Sequence, residues 1–146
     1  MKTTDNSLSG TIIGCAMKVH RTLGSGFLES VYQKALLHEL RKRGLQVESE
    51  KAIQVFYDGE LVGDFQADIV VQNEIILELK AVQTLNTAHE VQLVNYLTAT
   101  GKDVGLLFNF GGRSLEFKKK FSQPRTASGA AGITGLLLGF ILLLIG

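Results

Sequence analysis

Ala67-Asp68-Ile69-Val70-Val71-Gln72-Asn73-Glu74-Ile75-Ile76-Leu77-Glu78-Leu79-Lys80 is the stretch whose reading decides the fold. Two apolar runs, Ile69-Val71 and Ile75-Leu77, flank a polar tip at Gln72-Asn73-Glu74, the pattern of a β-hairpin with a short loop. Asp68 and Glu78 are equally far from Asn73, so a hairpin folded about Asn73 makes them cross-strand neighbours with Cβ atoms about 5 Å apart. Glu78 and Lys80 are two positions apart and share a face of their strand. Two carboxylates and an amine then converge beside buried strands. Carboxylates that close repel, and a positive charge is expected between them. Hard oxygen ligands favour Mg²⁺ or Mn²⁺ in that role.

A Glu-x-Lys triplet alone reads as a solvated strand face, but this one interrupts an apolar strand, where charge is costly unless paired or metal-bound. Gln92 and Tyr96 lie at i and i+4 on the helix expected next, so they share one face, with His89 close to it. Glu29, in Gly26-Phe27-Leu28-Glu29-Ser30-Val31-Tyr32, falls in the first turn of an earlier helix. There it either joins the carboxylates or complements the helix dipole.

Outward from the hairpin, helical spacing of Ile12, Cys15 or Ala16, Val19 and Leu23 predicts a helix over 8–23, with Ser7 or Ser9 as its cap. Phe27, Val31, Ala35, Leu36 or Leu37 and Leu40 form the stripe of a second helix over 27–43, with Gly44 at its end. Residues 46–50 and 52–57 read as one bent strand or two short ones, and Asp58-Gly59 as a hairpin turn. Strands follow over 61–71 and 74–82, a helix over 87–100, and strands over 104–110 and 114–121. The order ααβββαββ is an α+β domain with a mixed sheet flanked by helices.

Composition sets wide bounds. The 146 residues suit one domain with a modest core, 45% hydrophobic and 20% charged, and the net charge of +1 gives no global field toward nucleic acid. Arg41-Lys42-Arg43 and Lys118-Lys119-Lys120 are local basic runs that read first as a helix end and a solvated strand edge. Cys15, the single cysteine, is expected as a small core residue. The polar N-terminus carries no apolar signal segment. His38 is expected at the surface and His20 as a hydrogen-bonded helix residue; neither forms a zinc-type set with Cys15. Gly111-Gly112 reads as a turn, with no Walker or dinucleotide pattern.

Past Phe121 the chain changes character. Residues 122–126 read as a polar linker, and 127–146 as an uncharged apolar tail. The tail is long enough to span a bilayer, and Ala131, Gly135 and Gly139 make a small-residue face at four-residue spacing. Lys118 to Lys120 and Arg125 on its N-terminal side would hold the domain over 8–121 in the cytoplasm, tethered at the inner face of the membrane. A buried or interfacial helix, or a stretch unrelated to the domain's function, are the alternatives.

Taken together, these motifs resemble the GxxExxY family of the PD-(D/E)XK nuclease superfamily. Gly26-x-x-Glu29-x-x-Tyr32 matches the naming motif, preceded by the similar Val19-His20-Arg21-Thr22-Leu23-Gly24. Asp68 with Glu78-Leu79-Lys80 matches the D…(D/E)-x-K signature, and Gln92-x-x-x-Tyr96 resembles the extra motif of the recombination-nuclease branch. Ser25 stands where the family commonly has Pro, which concerns the turn only. The resemblance covers about residues 8–121. It implies a restriction-endonuclease-like core, with Asp68, Glu78, Glu29 and the Leu79 carbonyl as Mg²⁺ or Mn²⁺ ligands. Lys80 would orient or deprotonate the attacking water, and Gln92 and Tyr96 would position the site or the phosphate.

The function so implied is metal-dependent hydrolysis of nucleic-acid phosphodiesters, DNA ahead of RNA, in a setting such as repair or defence. A membrane, through residues 127–146, and a second copy of the chain are further candidate partners. The alternative is a non-catalytic module that keeps the nuclease fold and acts through a protein partner. A third reading makes Asp68, Glu78 and Lys80 a structural ion-pair network.

Overall fold

The computed structural model describes residues 7–123. Their elements run α1 (Leu8–Leu23), α2 (Glu29–Lys42), β1 (Val47–Tyr57), β2 (Glu60–Val71), β3 (Ile75–Lys80), α3 (Thr87–Thr100), β4 (Val104–Asn109) and β5 (Glu116–Phe121). The order predicted from the sequence is the order observed. The expected tail over 127–146 and most of the linker lie outside the described residues. Among the described residues no helix is long and apolar enough to cross a membrane.

The five strands form one sheet in the order β1-β2-β3-β4-β5. All neighbours are antiparallel except β3 and β4, which pair in parallel from Ile75↔Val104 to Lys80↔Asn109. A parallel pair needs a crossover, and α3 supplies it. Helices α1 and α2 cover one face, where Ile12, Val19, Tyr32, Leu36 and Leu40 pack with Ile69, Leu77 and Phe108. Helix α3 covers the other, where Leu93, Tyr96 and Leu97 meet Ile53, Ala67, Ile76 and Leu107. Burial on both faces is why β3 and β4 are nearly continuous apolar runs.

The central hairpin turns about Asn73, with Ile69↔Leu77, Val70↔Ile76 and Val71↔Ile75 paired. Gln72 and Asn73 take φ of 54° and 53°, and the Glu74 N–H closes the turn on the Val71 carbonyl at 2.9 Å. Positive φ at both central residues is the primed-turn geometry that matches strand twist.

Several boundaries differ from expectation, and β3, expected over 74–82, ends at Lys80. Helix α2 opens at Glu29, because Leu28 is extended (φ −71°, ψ 156°), and Phe27 and Leu28 are exposed rather than part of the buried stripe. β5 opens at Glu116, the preceding residues being spent on the turn. β1 is one continuous strand, irregular at Glu50, where φ is +52°. Across Glu50 the hairpin changes sides: Ile69 packs under α1 and α2, yet Ala67, two residues away, packs under α3. Regular alternation would have kept them together. The interruption falls at Asp68.

Candidate functional site

Asp68 stands where β2 and β3 part. Their regular pairing ends at Ile69↔Leu77, and the next position is held by side chains instead. The Asp68 N–H donates to Oε2 of Glu78 at 3.3 Å, while the Leu79 N–H donates to Oδ2 of Asp68 at 2.7 Å. Each carboxylate therefore braces the backbone of the opposite strand. The Leu79 edge that carries its N–H faces Asp68, and its carbonyl, as in any strand residue, projects to the same side.

The electrostatics of the pair follow from burial. Glu78 is 5% exposed, and its carboxyl is pushed up to about 8, first by desolvation and then by the Asp68 charge, against the pull of the Asp68 N–H and the Lys80 ammonium. Asp68 is likewise raised, chiefly by burial, with the Leu79 N–H and Lys80 opposing and the charges of Glu29 and Glu50 adding to the shift. Glu50 carries no motif. It comes near because it stands opposite Asp68 in the β1–β2 register, between Ser49↔Ile69 and Lys51↔Ala67.

Glu29 reaches the same end of the sheet from α2. Its Oε2 accepts from the Ala81 N–H at 3.2 Å, one residue past Lys80. The loop that delivers it is fixed by Tyr32, which is wholly buried. The Tyr32 hydroxyl donates to the Gly24 carbonyl at 2.6 Å and accepts from the Phe27 N–H at 3.2 Å, and its ring stacks on Phe110 at 4.6 Å between centroids. Gly26 turns the loop at φ +113°, a conformation other residues avoid. The Gly-x-x-Glu-x-x-Tyr spacing is thus a device for aiming Glu29. One turn on from Glu29, Gln33 donates through Nε2 to the Asp68 carbonyl at 3.0 Å.

Lys80 is half-buried and makes no ion pair among the described residues. Its backbone is fixed: the Lys80 carbonyl accepts from the Phe110 N–H at 2.8 Å. Asn109, paired with Lys80 and wholly buried, accepts from the Val82 and Gly111 N–H groups at 2.9 and 3.0 Å. Gly111 lies against the Val82 backbone, where a Cβ would collide with it. Gln33, Asn109 and Gly111 hold the site without belonging to any motif; only a polar residue ending the apolar run Val104 to Phe108 pointed to one of them.

Tyr96 is buried beside the pair, and its hydroxyl pKa is raised by desolvation first and then by the charges of Glu78 and Asp68. Gln92 is exposed and lines, with Tyr96, an open groove of about 940 Å³ between α3 and the β1–β2 hairpin. His89 does not enter the cleft. It closes a capping box with Asn86 at the start of α3. His20 is the hydrogen-bonded helix residue expected, with Nε2 2.9 Å from the Gly112 carbonyl, and His38 is at the surface.

Among the described residues no three His, Cys, Asp or Glu side chains converge tightly enough to enclose a metal. Two neighbouring carboxyls, both raised by burial, nonetheless mark a point short of positive charge. Mg²⁺ keeps several waters and commonly takes only one or two protein carboxylates plus substrate phosphate, so the donor set fits that ion rather than an all-protein cage.

A family model described as the PD-(D/E)XK nuclease superfamily matches residues 6–120. The crystal structure of SSO0001 shares the fold, with a TM-score of 0.52 at 17% sequence identity, over 66% of this chain and 51% of that one. This chain thus spans about half the length of that protein. No curated protein matches this chain.

Proposed function

This chain belongs to the PD-(D/E)XK nuclease superfamily, and on that premise we propose that it hydrolyses nucleic-acid phosphodiesters, DNA ahead of RNA, with Asp68 and Glu78 as the core of a divalent-cation site. The observation that carries this reading is the reciprocal brace of Asp68 and Glu78, which keeps two carboxylates together where both resist ionisation. Such an arrangement costs stability unless a cation occupies it. Functional sites are where that cost is tolerated.

Asp68 and Glu78 would hold Mg²⁺ or Mn²⁺, with the Leu79 carbonyl on the same side and Glu29 reaching it directly or through water. When bound, the ion supplies a hydroxide near neutral pH and counter-charge for the phosphorane. The chain's own residues do the rest. Lys80, free of carboxylate partners, orients the attacking water and offsets negative charge on the transferring phosphorus. Tyr96 keeps its phenolic proton and donates it to a phosphate oxygen, and Gln92 aligns the strand. The finer assignment to the GxxExxY family is supported by the way Gly26 and Tyr32 aim Glu29 at the strand end.

The test is cleavage of single- and double-stranded DNA and RNA by the purified chain with Mg²⁺ or Mn²⁺. Activity that disappears in Glu78→Ala while the circular dichroism spectrum persists supports the proposal. No cleavage of any form by the wild type removes it. A second reading, a non-catalytic module acting through a protein partner, is favoured by the net charge of +1, which supplies no global field toward nucleic acid. Calorimetric titration separates the two: the module gives no Mn²⁺ heat, and Glu78→Ala changes nothing.

A further inference from the structure

We propose that the groove between α3 and the β1–β2 hairpin stacks unpaired nucleobases, so that the strand presented to Asp68 and Glu78 is single-stranded. This rests on the nuclease reading and adds its substrate class. The groove's chemistry is that of a base rather than of a phosphate. Phe56 and Phe65, 60% and 42% exposed, offer ring faces, and Gln54, Gln92 and Asn95 offer uncharged donors and acceptors. No lysine or arginine lines it. A duplex hides its base faces and presents phosphates, for which this surface has no counter-charge. Single strands stack their bases on aromatic side chains.

The platform is built in advance. The Phe65 ring lies along the strand over Gly63, where a Cβ would come within 2.8 Å of its Cε2 atom and 3.3 Å of its Cζ atom. An aromatic ring covering a strand glycine is a recognised way of filling that gap. The ring also meets Tyr96, tilted, with centroids 5.4 Å apart. Phe65 stands three residues before Asp68 on β2, and Tyr96, which lines the groove, packs in the same cluster as Ala67, the neighbour of Asp68. A strand whose bases lie on Phe56 and Phe65 is thus directed along β2, past Tyr96, toward the carboxylates.

The experiment uses the full chain carrying Glu78→Gln, which silences cleavage. Fluorescence anisotropy compares a short oligothymidylate, an abasic strand of equal length and a duplex. The oligothymidylate should bind best, and Phe56→Ala should weaken it about tenfold, leaving the abasic strand and the duplex unchanged. Phe56 is largely exposed, so its truncation spares the core; Gly63→Ala, which displaces the Phe65 ring, should have the same effect. Equal binding of oligothymidylate and abasic strand overturns the inference. So does unchanged binding by Phe56→Ala, including the case where that variant instead dissociates a dimer in sedimentation, which would make a second copy the occupant. Glu78-dependent cleavage of duplex without Phe56-dependent strand binding leaves the nuclease reading standing and this inference fallen. Phe56-dependent strand binding by a chain that cleaves nothing does the reverse.

Discussion

Glu78 ties stability to pH in a direction opposite to that of most carboxylates. An unfolded glutamate titrates at about 4.3, whereas in the fold this one is pushed up to about 8 by burial and by Asp68. Between those values the folded chain binds the proton that the unfolded chain has released, so stability falls as pH rises through the window. We expect the melting temperature in EDTA at constant ionic strength to decline progressively between those pH values. Glu78→Gln, which cannot ionise, should flatten the decline and melt above the wild type at the alkaline end. A divalent cation held by Asp68 and Glu78 would take the place of the proton on Glu78. Mn²⁺ should therefore raise the melting temperature more at pH about 8 than at pH about 5, by mass action on the folded state. Asp68→Asn should abolish that rise, and a rise that survives it would place the ion elsewhere.

At the scale of elements, the site depends on how α2 begins. Tyr32→Phe keeps the ring on Phe110 but removes both hydroxyl hydrogen bonds, to the Gly24 carbonyl and from the Phe27 N–H. A buried hydrogen-bonded hydroxyl is worth about 1 kcal/mol. A loss of about 1–2 kcal/mol in urea unfolding is expected, with faster amide exchange at Phe27. Activity should fall further than stability alone explains, because Glu29 loses its aim at the Ala81 N–H. Wild-type exchange at Phe27 in this variant would show that the hydroxyl does not hold the loop. The aromatic residue in the Gly-x-x-Glu-x-x-Tyr motif was legible in the sequence as a helix residue one turn beyond Glu29. Its buried hydrogen bonds back across the turn were not, because they depend on where Phe110, just past the end of the distant β4, puts its ring.

At the scale of the whole molecule, the charge balance predicts weak salt dependence. The net charge is +1, and Lys18, Lys42, Lys51 and Lys120 are each paired with a glutamate. With cations and anions nearly balanced, little net positive charge meets the phosphates, so the logarithm of affinity for nucleic acid should fall against the logarithm of salt with a slope of about −2 or shallower. A slope several times steeper, measured by the same anisotropy titrations, would show that local runs such as Lys118 to Lys120 form a basic face that binds phosphates. The two-sided core also explains which elements were readable. β3 and β4, buried on both faces, announced themselves as apolar runs. β1 was ambiguous because positive φ at Glu50 changes the face its side chains take, and no local rule anticipates a left-handed glutamate.

The sequence by itself determined the element order, the hairpin and its register about Asn73, because side-chain periodicity and turn chemistry are local and both specify the same pairing. It also placed Asp68 and Glu78 one step beyond Ile69↔Leu77, at facing positions where the hairpin ends. Only the tertiary structure decided that the strands part at Asp68, and that the carboxylates brace opposite backbones while Lys80 makes no ion pair among the described residues. The same holds for Glu50, Gln33 and Asn109, which surround the site without a motif, and for His89, which closes a helix cap instead of lining the cleft. Those outcomes turn on which buried N–H groups are left without a ladder partner. That is settled by the packing of three helices on one sheet, and every orphaned donor must then find the nearest acceptor the fold supplies.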